Sequence, residues 1–595
     1  MDTNRLSLLT AVSALVFSCF GAAISLAGTE KDFYQNTDLD NPGNYNPAGL
    51  PTGSSDVLFT TSTTALMLNG AALSMNSLNQ INSSAYLISN NTAGSTSSSI
   101  NAAPLGGNSI GADPFDAIYL GGHESSLTIQ GPNGSGTGTG TLSLSVPLGN
   151  LDVAQSDSVL NISAQLLAST SQYLAKTGAG TLNLSGIYSE FGGGIAINGG
   201  TTNFLAGFSN LTPLHTGLLV NNLNTGPGTD VVLNIQTFVQ FRNLSGVISS
   251  PSSGVNTATI NLLGEGTELH LDPGSFPEAA PYAGAIGGAG RVSLNAIQGS
   301  YTQTFSGDNT YGGTTTISGG TLRIDGDTSG QGDYFVNAAS VGAMATLTGS
   351  GTIGLSPNGT VSVGGTNPSQ LSAGGDSVTG TLTVVTSGTG GVVFGQQSTF
   401  LVDVGPAGAS DRLVIVGGSI NLTGLSDTLM LNNLAGAFDG SSYTIATFSQ
   451  NVASGMFETV IGLPADYTVL YSPTSIMIVR TTQSPTVTLR VTDRDASETP
   501  PHSTASVRIT RTGETANPLT VSYTVGGTAT NGQDYRSLRG QSTIKSGQSA
   551  ANILIQPIDD AIPESDETVI LTLSPAANYT IGSPNSGTVI IHSNE

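Results

Sequence analysis

Short runs of alternating apolar and polar residues, separated by glycine pairs and clusters, constrain this chain more than any other feature. Thr181–Leu184 and residues 321–324 are two such runs, in which every second side chain is apolar. Alternation with a period of two residues is typical of β-strands, and hardly any window shows helical spacing with caps. Glycine, at 79 of 595 residues, supplies the turns between the runs. The chain is therefore predicted to be all-β.

Two stretches of the chain repeat each other, which indicates stacked units. Residues 178–204 read GAGTLNLSGIYSEFGGGIAINGGTTNF, and residues 304–326 read TFSGDNTYGGTTTISGGTLRIDG. Each runs from a strand through Ser-Gly, an aromatic residue and a glycine cluster to a strand, then through Gly-Gly to another strand. A unit this small cannot bury its apolar face alone, so it buries that face against the next unit, as in a solenoid.

The second copy resembles the passenger-associated repeat of autotransporter-type bacterial proteins. The resemblance is carried by residues 308–311 (Asp-Asn-Thr-Tyr) and by the Gly-Gly-Thr-Thr and Gly-Gly-Thr-Leu steps that follow, up to Leu322. It implies a right-handed parallel β-helix, which we expect to occupy residues 28–480. Glycines at its corners are expected to adopt positive φ angles.

The N-terminal residues have the pattern of an export signal. Arg5 precedes an apolar run from Leu6 to Phe20, and small residues follow up to Ala27. This order is typical of a secretory signal peptide, here residues 1–27. No later stretch has the roughly 20 apolar residues of a membrane-spanning helix. We expect an exported protein, extracellular or at the cell surface (the periplasm is the alternative), with no transmembrane segment in the mature chain.

The composition excludes several classes of partner and site. The net charge is −24, and charged residues make up only 9% of the chain. Nucleic acid is therefore not an expected partner, because phosphate binding needs clustered Lys and Arg. The single cysteine, Cys19, lies within the signal, so the mature chain has no disulfide and no thiolate metal site. An acidic chain suits a solvated exterior, or divalent cations as counter-ions.

A second domain is predicted at residues 484–595, after a segment of linker composition and a rise in charge density. Alternating runs in this domain cover residues 486–491, 505–510, 519–525, 541–544, 551–557, 568–574 and 587–591. Seven short strands in a segment of this length are typical of an immunoglobulin-like sandwich. With neither a Cys pair nor Trp, apolar alternation must hold this sandwich together.

The same segment resembles the Calx-β module, known from sodium–calcium exchangers and many extracellular proteins. The matching pieces occur in the family's order: residues 496–498 (ASE), 509–513 (ITRTG), 521–523 (VSY), 527–535 (GTATNGQDY), 544–548 (IKSGQ) and 558–567 (IDDAIPESDE). The resemblance implies a sandwich with calcium bound at one end.

The candidate metal ligands are carboxylates. Calcium takes six to eight oxygen ligands, which loops bearing Asp and Glu can supply. Asp559, Asp560 and Glu564 occur in one turn between two predicted strands, so their oxygens could converge. The resemblance adds Glu498 from an early loop and Glu595 from the chain terminus.

The segment departs from the calcium-binding members of the family at two places. The acidic run that follows their last strand reads Ser-Asn-Glu at residues 593–595, and a further acidic position is replaced by Gly526 or Gly527. Asp534 is expected to stabilise its own turn through side-chain-to-backbone bonds rather than to bind metal. Any calcium affinity is expected in the weak extracellular range, roughly 10⁻⁴–10⁻³ M. The alternative is a solvated acidic turn without metal.

An enzyme is the alternative to a structural protein, because parallel β-helices include polysaccharide lyases and hydrolases. Glu268, His270 and Asp272 place three ionisable side chains on one strand face. A short solvated strand with alternating polar residues accounts for them as well. The histidines lack metal-ligand spacing, and the chain has no Gly-x-Ser-x-Gly elbow and no phosphate-cradling loop.

We therefore predict no catalytic residues and interpret the chain as an exported structural or adhesive protein. In this interpretation a β-helical stalk carries a calcium-binding Calx-β interaction module, whose partner is a surface polysaccharide or another cell-surface protein. A secreted carbohydrate-active β-helix enzyme with an accessory β-sandwich is the alternative.

Overall fold

The computed structural model describes most of the chain from residue 150 to residue 593. Residues left out of this range are 169–172, 186, 189–193, 207–208, 211–216, 223–229, 247, 249–256, 275–278, 297–300, 376–377, 435–437, 451–454, 482–483 and 577. Before residue 150, only separate strands and a few adjoining residues are described, so the predicted signal peptide lies outside the described residues. The chain divides into two compact units, Met1–Pro464 with Val469–Val479, and Ala465–Thr468 with Arg480–Glu595.

The first unit consists of short strands joined by turns. Its first half contains β1 (Thr29–Phe33), β2 (Tyr45–Asn46), β3 (Ser55–Phe59), β4 (Ala65–Leu68), β5 (Ala72–Met75), β6 (Ser77–Gln80), β7 (Ala85–Asn90), β8 (Ser98–Ala102), β9 (Asp116–Leu120), β10 (Ser126–Gln130), β11 (Leu142–Val146), β12 (Asn150–Val153), β13 (Val159–Ile162), β14 (Gln165–Ala168), β15 (Tyr173–Thr177), β16 (Thr181–Leu184), β17 (Ile187–Tyr188), β18 (Gly194–Ile197), β19 (Thr201–Phe204), β20 (Ser209–Asn210), β21 (Leu218–Val220), β22 (Val231–Ile235), β23 (Phe238–Phe241) and β24 (Leu244–Ser245).

The second half of this unit continues in the same way, with a short 3-10 turn at Pro406–Gly408. Its strands are β25 (Ala258–Leu262), β26 (Glu268–Leu271), β27 (Ala285–Gly288), β28 (Arg291–Asn295), β29 (Thr302–Phe305), β30 (Thr315–Ile324), β31 (Asp327–Gln331), β32 (Tyr334–Val336), β33 (Ala345–Thr348), β34 (Thr352–Leu355), β35 (Thr360–Val363), β36 (Ser369–Ser372), β37 (Thr381–Val385), β38 (Gly391–Phe394), β39 (Ser398–Val404), β40 (Arg412–Val416), β41 (Ser419–Asn421), β42 (Thr428–Asn433), β43 (Ser442–Phe448), β44 (Thr459–Ile461), β45 (Tyr467–Ser472) and β46 (Ser475–Arg480).

Strands that lie about one coil apart in the sequence pair in parallel. One sheet has the order β3-β6-β9-β12-β15-β18-β21-β24, a second runs from β4 through every third strand to β25 and β27, and a third joins β5, β8, β11 and β14. The same pattern continues beyond β28, until β43 pairs antiparallel with β46. Each coil therefore gives one strand to each face of a solenoid, and the predicted all-β parallel architecture is confirmed.

The core of the solenoid is a set of mainly apolar columns that run through successive coils, with a buried threonine, Thr202, in the column described next. In one column Leu127 pairs with Leu160, Leu160 with Leu182, and Ile260 with Ile286. All of these side chains are buried. Apart from Gly287, their sequence neighbours are partly exposed, so the alternation seen in the sequence is the alternation between core and surface.

The outer face of the second sheet carries a ladder of asparagines. From Asn183 onward, each amide nitrogen donates to the side-chain oxygen of the asparagine one coil earlier, over distances of 2.6–2.8 Å; Asn161 donates to Oγ1 of Thr128. The ladder comprises Asn161, Asn183, Asn203, Asn234 and Asn261. These side chains are partly buried, and the ladder satisfies their amides without using charge.

Glycine is required at the corners because consecutive coils approach closely there. Gly288 has a φ of +96°, and a Cβ at this position would lie against the carbonyl oxygen of Leu262 in the preceding coil. Gly200, with a φ of +58°, lies against the carbonyl oxygen of Gly180 in the same way. The positive φ angles expected at the corners are confirmed at these two positions.

The second unit is a sandwich of two sheets. Its strands are β47 (Thr486–Asp493), β48 (Asp495–Ser497), β49 (Ala505–Thr512), β50 (Leu519–Gly527), β51 (Gln541–Ile544), β52 (Ala550–Ile555), β53 (Glu567–Leu573), β54 (Thr580–Ile581) and β55 (Ser586–His592). The sheet orders are β52-β49-β47-β54 and β48-β55-β53-β50-β51. All seven predicted runs form strands, and the structure adds two short ones, β48 and β54.

The sandwich has a hydrophobic core of its own. Twenty buried side chains between Val487 and Ile591 form one cluster, including Leu489, Ile509 and Leu571. Tyr535, fully buried in this cluster, anchors the loop between β50 and β51. Apolar alternation therefore holds the two sheets together, as expected for a sandwich without disulfides.

The close approach at the corners yields a test of the solenoid. Replacing Gly288 with Ala should destabilise the protein by at least about 1 kcal/mol, because the new Cβ is strained at this φ and meets the Leu262 carbonyl. Gly266 has open space around its Cα, so Gly266→Ala is the matched control and should change stability little. Thermal unfolding followed by circular dichroism measures both variants. Equal melting temperatures for the two would contradict the packing described here.

Candidate metal site

Three loops meet at one end of the sandwich, and backbone hydrogen bonds hold them there. The amide of Ile558 donates to the carbonyl oxygen of Asp534 at 2.9 Å, which joins the β52–β53 loop to the β50–β51 loop. The amide of Glu498 donates to the carbonyl oxygen of His592 at 3.1 Å, which places the β48–β49 loop beside the end of β55. The first bond joins two of the loops to each other, and the second fixes the β48–β49 loop at the last strand of the sandwich.

Carboxylates dominate this end of the sandwich. One oxygen from each of Asp534, Glu564 and Glu567 lies within 4.8 Å of the other two. Oδ2 of Asp534 also accepts the Thr530 amide at 2.6 Å, and Oδ1 of Asp560 accepts the Ile562 amide at 2.8 Å. These bonds fix the orientation of two of the acidic side chains, and each leaves a second carboxylate oxygen.

The electrostatics show that these carboxylates act on one another. Burial raises the pKa of the Glu498 carboxyl, and the negative charges of Glu564, Asp560, Asp559 and Asp534 raise it further. The Glu498 side chain is itself buried. Like charges held this close oppose each other's ionisation, so the cluster costs free energy at neutral pH unless a cation or a proton compensates it.

Glu567 is the most perturbed member of the cluster. Burial and the adjacent Asp534 carboxyl raise the pKa of Glu567 to about 7, and Glu564 and Glu498 add to the shift. Its Oε2 is buried, and no N–H or O–H group in the described part of the chain donates to it. A glutamate that has one buried oxygen without a donor and lies beside two other carboxylates is the arrangement that an oxygen-binding cation would satisfy.

The structure brings four of the five predicted ligands into this region. Glu498 lies close enough to the β52–β53 loop for the charges of Asp559, Asp560 and Glu564 to raise its pKa. Glu595 lies outside the described residues. Three of these four predicted ligands belong to the β52–β53 loop, and Glu498 approaches them from the β48–β49 loop.

Sequence reasoning missed two members of the cluster. Asp534 has the turn-stabilising bond that was expected, and in addition its carboxylate faces Glu564 and Glu567. Glu567 is the first residue of β53, whereas its neighbour Asp566 turns away and pairs with His592 at 2.8 Å. The available signal was a carboxylate at the start of a strand, directly after an acidic loop.

The ionisable residues on β26 of the solenoid form a separate arrangement. Glu268 contacts Arg291 at 2.7 Å and accepts a hydrogen bond from Ser293, and Nδ1 of His270 lies 2.6 Å from Oγ of Ser293. A hydrogen bond from His270, with the further bonds from Ser293 and Arg291, lowers the pKa of Glu268 to about 2. Glu268 is thus an ionised partner in a hydrogen-bonded network and cannot donate a proton at neutral pH.

Comparisons with protein families confirm both resemblances. Residues 481–595 match the Calx-beta domain, and residues 174–203 and 298–324 match the passenger-associated-transport-repeat. The two matches support an exported or surface protein that carries a module of the calcium-binding Calx-β type. Within the described residues, no helix is long and apolar enough to cross a membrane.

Two solved structures are similar to part of the chain. The apo-form Calx CBD1 domain is 23% identical, covering 19% of this chain and 100% of that chain with a TM-score of 0.17. The calcium binding domain CBD12 of CALX1.1 is 25% identical, covering 18% of this chain and 44% of that chain with a TM-score of 0.16. A comparison with curated proteins finds no significant match.

The raised pKa of Glu567 predicts how calcium-free protein responds to pH. Because the folded-state pKa of about 7 exceeds the ordinary value of 4.5, the stability that this group contributes is fully present below about pH 4.5 and is lost as the pH rises through about 7. We expect the melting temperature of calcium-free segment 480–595 to be lower at about pH 8 than at about pH 5.5.

Two variants separate the contribution of Glu567 from the rest of the module. Glu567→Gln, which is neutral at every pH, should reduce the difference between the two melting temperatures. Glu514→Gln removes one exposed carboxylate from the turn between β49 and β50 and should leave the difference unchanged. A melting temperature that stays constant or rises between the two pH values in the unmodified segment would contradict the assignment.

Proposed function

We propose that this protein is an exported structural protein with an adhesive role, and that its C-terminal module is stiffened by calcium. The observation that carries the proposal is the convergence of carboxylates from three loops at one end of the sandwich. The ligands we propose are Glu498, Asp559, Asp560 and Glu564, together with Asp534 and Glu567; Glu595 is a further candidate.

The donor set fits calcium better than a transition metal. Every candidate ligand is a carboxylate, and hard oxygen donors on flexible loops are what calcium prefers, whereas zinc favours His and Cys. Burial and the neighbouring carboxylates together raise the pKa values of Glu498 and Glu567, and a bound calcium would offset both effects. Because the ligands come from three loops, the ion would cross-link segments that are otherwise joined by a few backbone hydrogen bonds.

The solenoid supports a structural role. Its outer asparagine ladder is uncharged, and Glu268 and His270 on β26 are bonded to Arg291 and Ser293 on the neighbouring strand. Neither arrangement offers a proton donor and acceptor facing a common substrate position. We therefore assign recognition to the module, with a surface polysaccharide or another cell-surface protein as the partner and the cell surface or extracellular space as the location.

The test of calcium binding is the melting temperature of the segment 480–595, whose buried core residues all lie within the segment. A ligand that binds only the folded state stabilises it by about 1.4 kcal/mol at ten times its dissociation constant. Calcium at about 10 mM, well above the weak extracellular range, should therefore raise the melting temperature, and chelator should reverse the rise.

Matched variants show whether the carboxylate cluster is responsible. The double change of Asp559 and Asp560 to Asn should abolish the response, while its calcium-free melting temperature stays at or above that of the unmodified segment, because repulsion is relieved. Glu514→Gln should respond to calcium normally. If calcium has no effect on the unmodified segment, or stabilises all three proteins equally, the proposed site is wrong and the loops form a solvated acidic end.

A further inference from the structure

Two arginines lie directly opposite each other at the centre of the outer face of one sheet of the module. Arg490 on β47 and Arg508 on β49 are cross-strand partners, and both are exposed. Directly opposed residues on one face have their Cβ atoms about 4.5–5.5 Å apart, so like charges at such positions destabilise the sheet. The pair therefore has a cost that the fold itself does not explain.

Neither guanidinium group has a protein partner in the described part of the chain. Elsewhere Arg291, Arg323 and Arg480 each pair with a carboxylate, and Arg511 donates to backbone carbonyls. The protein is strongly acidic, with a net charge of −24, and yet no carboxylate among the described residues forms an ion pair with either arginine. The ten N–H donors of two unpartnered guanidinium groups form a preformed recognition site for an anion.

Protection of a sheet edge does not account for the arginines. Charged side chains on edge strands prevent edge-to-edge association. The sheet order is β52-β49-β47-β54, so β49 and β47 are its two central strands. The pair therefore marks the middle of an open sheet face.

Hydroxyl groups flank the arginines on both sides along the strands. Oγ1 of Thr488 lies 2.7 Å from Oγ1 of Thr510 in the pair before the arginines, and Oγ1 of Thr492 lies 3.0 Å from Oγ of Ser506 beyond them. At a rise of about 3.3 Å per residue, Thr488 and Arg490 are about 7 Å apart along β47, and Thr492 lies just beyond, where the register shifts between Val491 and Asp493. The three polar pairs therefore form a linear track of hydroxyl, guanidinium and hydroxyl pairs.

The track lies in a shallow depression of about 510 Å³, with Pro584 at its margin. Its lining combines two cations with hydroxyls that can both donate and accept; Val491 and Pro584 are its apolar members, and it contains no aromatic side chain. A protein partner would need an apolar centre to exclude water from the contact. A sugar ring that carries a carboxylate between hydroxyl groups matches the order of groups along the track.

We propose that Arg490 and Arg508 bind a carboxylate of an acidic polysaccharide, with the threonine and serine hydroxyls contacting the neighbouring sugar hydroxyls. The carboxylate accepts hydrogen bonds from both guanidinium groups, which relieves their mutual repulsion. The inference rests on the recognition role proposed above and names the class of its partner. The site lies on a sheet face and uses none of the carboxylates assigned to calcium, so its test can fail without the calcium test failing.

The experiment measures binding of fluorescently labelled trigalacturonate to the full chain by anisotropy. Chelator is present throughout, because calcium would bridge uronates to the acidic loops. Saturable binding is expected, and Arg490→Gln and Arg508→Gln should each weaken it by about tenfold or more, as expected for the loss of charge-assisted hydrogen bonds. The variants should melt at or above the temperature of the unmodified protein, because each removes a like-charge contact.

Controls decide between this site and general charge attraction. Arg539→Gln removes one exposed positive charge elsewhere in the module and should change the affinity less than twofold. Neutral maltotriose should not compete with trigalacturonate. Absence of trigalacturonate binding at millimolar concentration, or equal losses in the Arg539 variant, would overturn the proposal. Poly-glutamate that binds as tightly, with the same dependence on Arg490 and Arg508, would assign the site to an acidic protein instead and also overturn it.

Discussion

The parallel hydrogen bonding of each strand to the strand one coil earlier is the constraint on which the solenoid depends. Because this pairing is in register, identical positions in successive coils lie above one another, as Leu160 lies above Leu127. Each side chain in a column, on the inner or the outer face, must therefore pack against a side chain at the same position in the next coil. Apolar residues tolerate this packing through burial, and asparagines tolerate it by donating to one another. A column of like charges would not, because the charges would repel from coil to coil, and this accounts for the small share of charged residues in the chain.

The same constraint explains the glycines. A corner must reverse direction while its backbone stays within hydrogen-bonding distance of the coil before it, which leaves no room for a Cβ at positions such as Gly288. Stability in such an array comes from contacts between neighbouring coils, because no coil has a core by itself. The sandwich differs in this respect, since the twenty buried residues of its core close on themselves.

In the sandwich, charged residues of the same sign lie close together, whereas no such grouping is part of the solenoid columns described above. Its loops bring Asp534, Glu564 and Glu567 together although their charges repel, and its sheet brings Arg490 and Arg508 together in the same way. In both places the native contacts within the core and the backbone ladders outweigh the repulsion. Two groups of opposite sign, each held without full compensation, give the module one end suited to a cation and one face suited to an anion.

The sequence by itself determined the strands, because a period of two residues and the position of glycine are local properties. The repeats at residues 178–204 and 304–326 indicated the solenoid, and the seven alternating runs after residue 484 indicated the sandwich. Four of the candidate ligands could also be recognised, since Asp559, Asp560 and Glu564 share one loop and Glu498 belongs to a family motif.

Only the tertiary structure decided which distant residues meet. The asparagine ladder depends on the register between coils, and Asn183 and Asn203 carry no sign in the sequence that they will pair. Asp534 and Glu567 become neighbours because the β50–β51 and β52–β53 loops are joined by backbone bonds. Arg490 and Arg508 face each other because of the antiparallel register of β47 and β49. These contacts depend on strand register and loop approach, which are set by the packing of the whole domain and not by local sequence.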